Sequence, residues 1–144
     1  MKEKRFWICL ALLLAWIIFI FCRSLKPADV STSESQRVLD LLQRLCPFEL
    51  SMHLVRKLAH FTEFAVLGLL AGMLFGGRCR HLLADLLFSA MIGVLTALCD
   101  ETIQLLAAGR SGRIQDVWLD IAGVSAGAAA AQLGKAAIRF TRRR

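Results

Sequence analysis

At 144 residues, 57% of them hydrophobic, and with a mean hydropathy of +0.59, the chain is too apolar for an ordinary water-soluble domain and the right size for a small bundle of membrane helices. The formal charge of +7 raises nucleic acid as a partner, yet Lys and Arg flank apolar runs and gather in the terminal stretches MKEKR and RFTRRR, so anionic lipid headgroups are expected and nucleic acid is not. Cys9, Cys22, Cys46, Cys79 and Cys99 form no CxxC pair and several lie in apolar runs, which argues against a disulfide framework or a zinc site.

The first apolar run, Phe6 to Cys22, follows a basic N-terminus as a signal peptide would. Phe19, Ile20 and Phe21 are too large for a peptidase or lipobox site, so the run reads as an uncleaved anchor helix, about long enough to cross a hydrocarbon core of ~30 Å. In STSESQRVLDLLQRL, Ser31 and Glu34 have the spacing of a capping box, and Val38, Leu41, Leu42 and Leu45 recur as the stripe of an amphipathic helix. That helix is expected to lie on the bilayer surface or to cap the bundle, with a lid over a substrate as the alternative.

Three further spans are expected at about 58–75, 82–99 and 117–138. With the N-terminus inside, the cytoplasmic segments hold Lys2, Lys4, Arg5, Arg78, Arg80, Lys135, Arg139, Arg142, Arg143 and Arg144, against eight Lys and Arg in the two outer loops. Six of those eight fall in the longer loop, where the charge rule weakens, so both termini are expected in the cytoplasm. The whole chain, 1–144, thus reads as one all-α domain: a small polytopic membrane protein, a bundle of four transmembrane helices with an amphipathic helix between the first and second spans. Gly68, Gly72 and Gly76 in the second span, and Gly123, Gly127 and Ala131 in the fourth, repeat at four-residue intervals. Such stripes let helix backbones approach closely, here joining spans 2 and 4, or alternatively two copies as a homodimer.

The polar residues at the ends of the spans are costly to place in lipid. Lys57, His60 and Glu63 stand three apart, on one helix face at the mouth of span 2. Asp100, Glu101 and Gln104 close span 3; the Gly-Arg-Ser-Gly signal at 109–112 reverses the chain; Asp116 and Asp120, one turn apart, open span 4. Together with Arg110 and Arg113 these residues are expected at the outer membrane face, paired toward the bundle interior, since an unpaired charge near the bilayer centre costs about 2.5–3.5 kcal/mol. Snorkelling to the interface would account for any one of them, but not easily for the set. His53 and His81 lack periodic partners and read as structural, Asp85 is expected to pair with Arg78 or Arg80, and Trp7, Trp16 and Trp118 read as interface anchors or packing.

The order of these residues resembles the VanZ-like family of bacterial membrane proteins in two motifs, RKLAHFTEFAVLG at 56–68 and DETIQLLAAGRSGRIQDVWLDIAGVSAG at 100–127. The chain departs from that pattern at Phe64, where the family often has Tyr, at Ala108, often Pro, and at Asp120, where many members carry Asn. The resemblance implies a four-helix protein of the bacterial envelope, in a family named for a protein linked to low-level teicoplanin resistance; it supplies no reaction.

Three classes of function follow. In the first, Arg110, Arg113 and Lys57 receive the phosphate of an envelope lipid, a phospholipid or a lipid-linked cell-wall precursor, with Gln104, Asp116 and Asp120 completing the binding set. In the second the chain is an enzyme on a lipid-linked phosphate or acyl group, with His60, Glu63, Asp100 and Glu101 as catalytic candidates. Those four could alternatively hold Mg²⁺ or Mn²⁺, but their spacing is far less diagnostic than HExxH and no metal or cofactor is assigned. The third, a proton-coupled transporter, is disfavoured because no ionisable residue lies between Phe64 and Gly77.

Overall fold

The computed structural model describes residues 2–45, 47–75 and 82–141, and these form five helices and no strand. They are α1 (Lys2–Ser24), α2 (Ala28–Leu45), α3 (Met52–Phe75), α4 (Leu82–Gln104) and α5 (Ile114–Thr141). The long ones, α1, α3, α4 and α5, are each apolar and long enough to cross a bilayer, in keeping with the four expected spans. Each helix runs past its expected span into polar sequence, because inside a low-dielectric slab the backbone must satisfy its own hydrogen bonds before it can leave. Asp100, Glu101 and Gln104 therefore end α4 as helical residues, and Asp116 and Asp120 belong to the first turns of α5.

Helix α3 is central, packed most extensively on α5 and also against α4, α1 and α2. The α3–α5 contact is made by the glycine stripes. Gly68 lies against the backbone of Val124, Gly72 against Ala128 and Ala131, Gly123 against Phe61 and Gly127 against Ala65, so side-chain bulk at any of them would meet a neighbouring helix. Both glycine faces are thereby occupied within one chain, while Gly76, from the same stripe, lies outside the described residues, as do Cys46, Arg78, Cys79, Arg80, His81, Arg142, Arg143 and Arg144. The partners expected for Asp85 are thus among residues not described; Asp85 itself is buried near the start of α4.

Helix α1 supplies Cys9, Leu13 and Ile20, one stripe at four- and seven-residue spacing, to a core completed by Phe64, Leu67, Ala71, Leu74, Ala97, Val117 and Val124. Phe64 is fully enclosed in that core, so a ring without a hydroxyl suits a position with no water beside it. Trp16 packs against the core and donates from Nε1 to the carbonyl of Glu63 at 2.9 Å, whereas Trp7 and Trp118 face outward.

One expectation fails at α2. The helix starts at Ala28, just after Pro27, and the Ser31 amide donates to the Pro27 carbonyl at 3.0 Å, so Ser31 lies inside the helix and is no N-cap. Proline is favoured at a helix start, where its missing N–H is not needed, and Glu34 is drawn to Lys26 and Arg23 instead of back to the chain. Val38, Leu41 and Leu45 point away from the bundle, leaving the apolar stripe of α2 outward as a surface-lying helix requires.

Candidate functional site

Four helix ends and two connections meet at one end of the bundle: the C-terminal ends of α1 and α4, the N-terminal ends of α3 and α5, helix α2, and the loop 105–113. That loop turns at Gly109, whose φ of 71° favours glycine, and is pinned to α2 by a hydrogen bond from the Ala28 amide to the Ala108 carbonyl at 3.0 Å. Proline would keep that carbonyl, so Ala108 sacrifices nothing there. Two further contacts fix the loop. Glu101 Oε2 accepts from the Arg113 amide at 2.5 Å, and Gly112 sits so close to the Glu101 backbone that a side chain would not fit.

Arg110 reaches from this loop to the last turn of α1, donating from Nη1 to the carbonyls of Arg23 at 3.3 Å and Ser24 at 3.5 Å. Terminal carbonyls have no helical partner, and a cation at a helix C-terminus is favourable. Burial lowers the Arg110 pKa from its ordinary value and the Asp100 carboxylate raises it again; an arginine so placed stays charged. Arg23 in turn bridges Glu63 at 2.7 Å and Glu34 at 3.4 Å, while Lys26 holds Glu34 at 2.5 Å. This end of α1 is therefore part of the site, although the sequence suggested only an anchor.

The expected residues separate into three groups. His60, Asp100 and Asp120 are brought together, each offering a donor atom within 4.8 Å of the others, with His60 Nδ1 at 3.7 Å from Asp120 Oδ1. Asp100 and Asp120 are fully buried. Ser24 Oγ donates to Asp100 Oδ1 and Gln104 Nε2 to Oδ2, at 2.8 Å for the latter, so Gln104 acts by holding Asp100. Glu63 and Glu101, expected beside His60, are engaged by Arg23 and by the loop backbone instead.

Lys57, Arg110, Arg113 and Asp116 line a cleft of about 360 Å³ whose wall also includes His60 and Gln104. Sequence reasoning missed two basic side chains of its lining. His53, read as structural, and Arg56 both line the cleft, and Arg56 is steadied by Thr32 Oγ1 of α2 at 3.0 Å. The signal was present: His53, Arg56, Lys57 and His60 stand at i, i+3, i+4 and i+7, one face of α3. Among the described residues, Arg56, Lys57 and Arg113 make no ion pair with a carboxylate, so positive charge at the rim is left unneutralised above a buried acidic floor.

Between its two ends the bundle is apolar. No Asp, Glu, His, Lys or Arg lies between Arg5 and Arg23, Phe64 and Phe75, Asp85 and Asp100, or Asp120 and Lys135. No curated protein and no solved structure matches the chain. The family model described as VanZ/LLP1 does match, over residues 8–135, from within α1 to within α5, and this takes in α2, α3, α4 and every residue of the cleft. The chain is a membrane protein belonging to the VanZ/LLP1 family.

Proposed function

We propose that the chain binds an anionic lipid of the bacterial envelope, a phospholipid or a lipid-linked cell-wall precursor, by seating its phosphate in the cleft. The observation that carries this reading is the rim itself: Arg56, Lys57, Arg110 and Arg113 surround one opening, with Asp116 the one carboxylate lining it among the described residues. Arginine forks meet phosphate oxygens in pairs, and lysine adds a point charge. The first turn of α2, at Ala28 and Ser31, borders this opening, and the outward apolar stripe farther along the same helix offers support for acyl or prenyl chains. A headgroup that carries cell-wall material would also account for the glycopeptide resistance linked to the protein for which the family is named.

The test is lipid identity. Protein extracted without delipidation is expected to carry a phosphate lipid, identified by mass spectrometry, and Arg110→Ala to lose most of it. Protein that carries no lipid, with Arg110→Ala indistinguishable from wild type, would sink the proposal. The reading also needs the cleft on the outer face, where envelope precursors are used. Ser111, exposed in the loop, provides the probe: Ser111→Cys is expected to react with a membrane-impermeant maleimide in intact cells, and labelling only after lysis would invert the topology.

An enzyme acting on the same class of ligand is favoured by one observation, His60 standing between the buried carboxylates and the cleft. In that reading His60 is the general base and Asp100 or Asp120 orients it. Turnover of a lipid phosphate that His60→Ala leaves unchanged would exclude it.

A further inference from the structure

Beneath the basic rim, His60, Asp100 and Asp120 converge from α3, α4 and α5 with donor atoms within 4.8 Å of one another. Asp120 is fully buried, yet among the described residues neither of its oxygens has a hydrogen-bond partner, and the same holds for His60 Nδ1. Their mutual separation of 3.7 Å is too long for a hydrogen bond and leaves the atoms aimed at shared space. Buried polar atoms nearly always find partners, so a buried carboxylate with both oxygens idle points to something that occupies the space between. Asp100 differs in an informative way. Ser24 Oγ and Gln104 Nε2 each donate to one of its oxygens, fixing the carboxylate while leaving further lone pairs free, as outer-shell donors do for a metal ligand.

We propose that His60, Asp100 and Asp120 form a binding site for a divalent first-row cation of the Zn²⁺ or Mn²⁺ class. One imidazole and two carboxylates are a donor set these ions accept, and three protein ligands leave a coordination position open. His60 borders the cleft, so a ligand seated there has a route to that position. The ligand set differs from the one spacing alone suggests, because Glu63 is bridged by Arg23 and Glu101 is tied to the loop through Oε2, with Oε1 alone unpartnered, while both oxygens of Asp120 are idle beside His60. The site stands on this convergence and on the idle atoms, independently of whether a lipid phosphate binds above it.

Full-length protein in detergent, stripped with EDTA, is equilibrated with MnCl₂ or ZnCl₂, desalted and assayed by elemental mass spectrometry, with electron paramagnetic resonance on the Mn²⁺ sample. One ion per chain is expected, with coupling to an imidazole nitrogen in the Mn²⁺ spectrum. Asp120→Asn, which keeps the shape and removes the charge, is expected to weaken binding at least tenfold. Stripped wild type that takes up neither ion, or Asp120→Asn that binds as wild type does, overturns the site. Should Asp120→Asn fail to fold, the nitrogen coupling in wild type and its loss in His60→Asn decide the matter. Because both ions are added without lipid, failure here leaves the lipid-retention result standing, and the converse holds.

Discussion

Individual side chains at the polar end do two different jobs, and proximity in sequence does not predict which. Glu63 and His60 are one turn apart, yet Glu63 is consumed by Arg23 while His60 faces the buried aspartates. Glu34 is the bond between α2 and α1. Its pKa is held below the ordinary 4.5, first by the hydrogen bond from Lys26, against the opposing effect of burial, and then by the charges of Lys26 and Arg23. A carboxyl whose pKa is lower in the folded state contributes stability above its unfolded value, and that contribution is lost as pH falls through the folded value. Acidification below about pH 4.5 should therefore loosen α2 first. At matched intrinsic rates, the protection of α2 amides should fall as pH drops below about 4.5, and Glu34→Gln should show that lower protection already at pH 6. An α2 equally protected in wild type and variant at pH 6 would show that Glu34 is not what ties it down.

At the scale of helices, the α3–α5 seam decides whether the cleft exists, since α3 brings Arg56, Lys57 and His60 and α5 brings Asp116 and Asp120. The atoms facing Gly68 and Gly127 are backbone, the Val124 and Ala65 carbonyls, which cannot swing aside. Gly127→Leu should thus force the helices apart and cost about 1–3 kcal/mol or more, as overpacking does, seen as a lower melting temperature in detergent. Gly134, which has open space around it, should accept alanine without loss. If Gly127→Leu melts where wild type does, the seam is not as described. This seam was legible in the sequence, because four-residue glycine spacing has few other uses in a membrane helix. The start of α2 was not: Ser31 and Glu34 mimic a capping box, and only the pull of Arg23 and Lys26 on Glu34 shows why it does not form. Ser24 and Arg23 were invisible as site residues for a related reason. Their roles need α1 to lie beside α3 and α4, a tertiary fact that no local pattern carries.

Over the whole molecule, charge is segregated by depth. Acids and bases are concentrated at the two ends, and the layer between is free of ionisable Asp, Glu, His, Lys and Arg on all four crossing helices. A relay that carries protons across the bilayer needs intermediate stations, so this layering speaks for a site at one face and against a through-path. Within the polar end the arrangement is layered again, with Asp100 and Asp120 deep and Arg56, Lys57, Arg110 and Arg113 around the opening. That inner layering is what the proposed headgroup site requires, a positive rim around the opening. The most direct measurement is a cryo-electron microscopy map of the full chain extracted with its native lipids. The account predicts phosphate density in the cleft between Arg110 and the pair Arg56 and Lys57, continuing into chains that run along α2. A lipid-retaining sample whose cleft holds no headgroup density, while lipids decorate the outer helix faces alone, would contradict it.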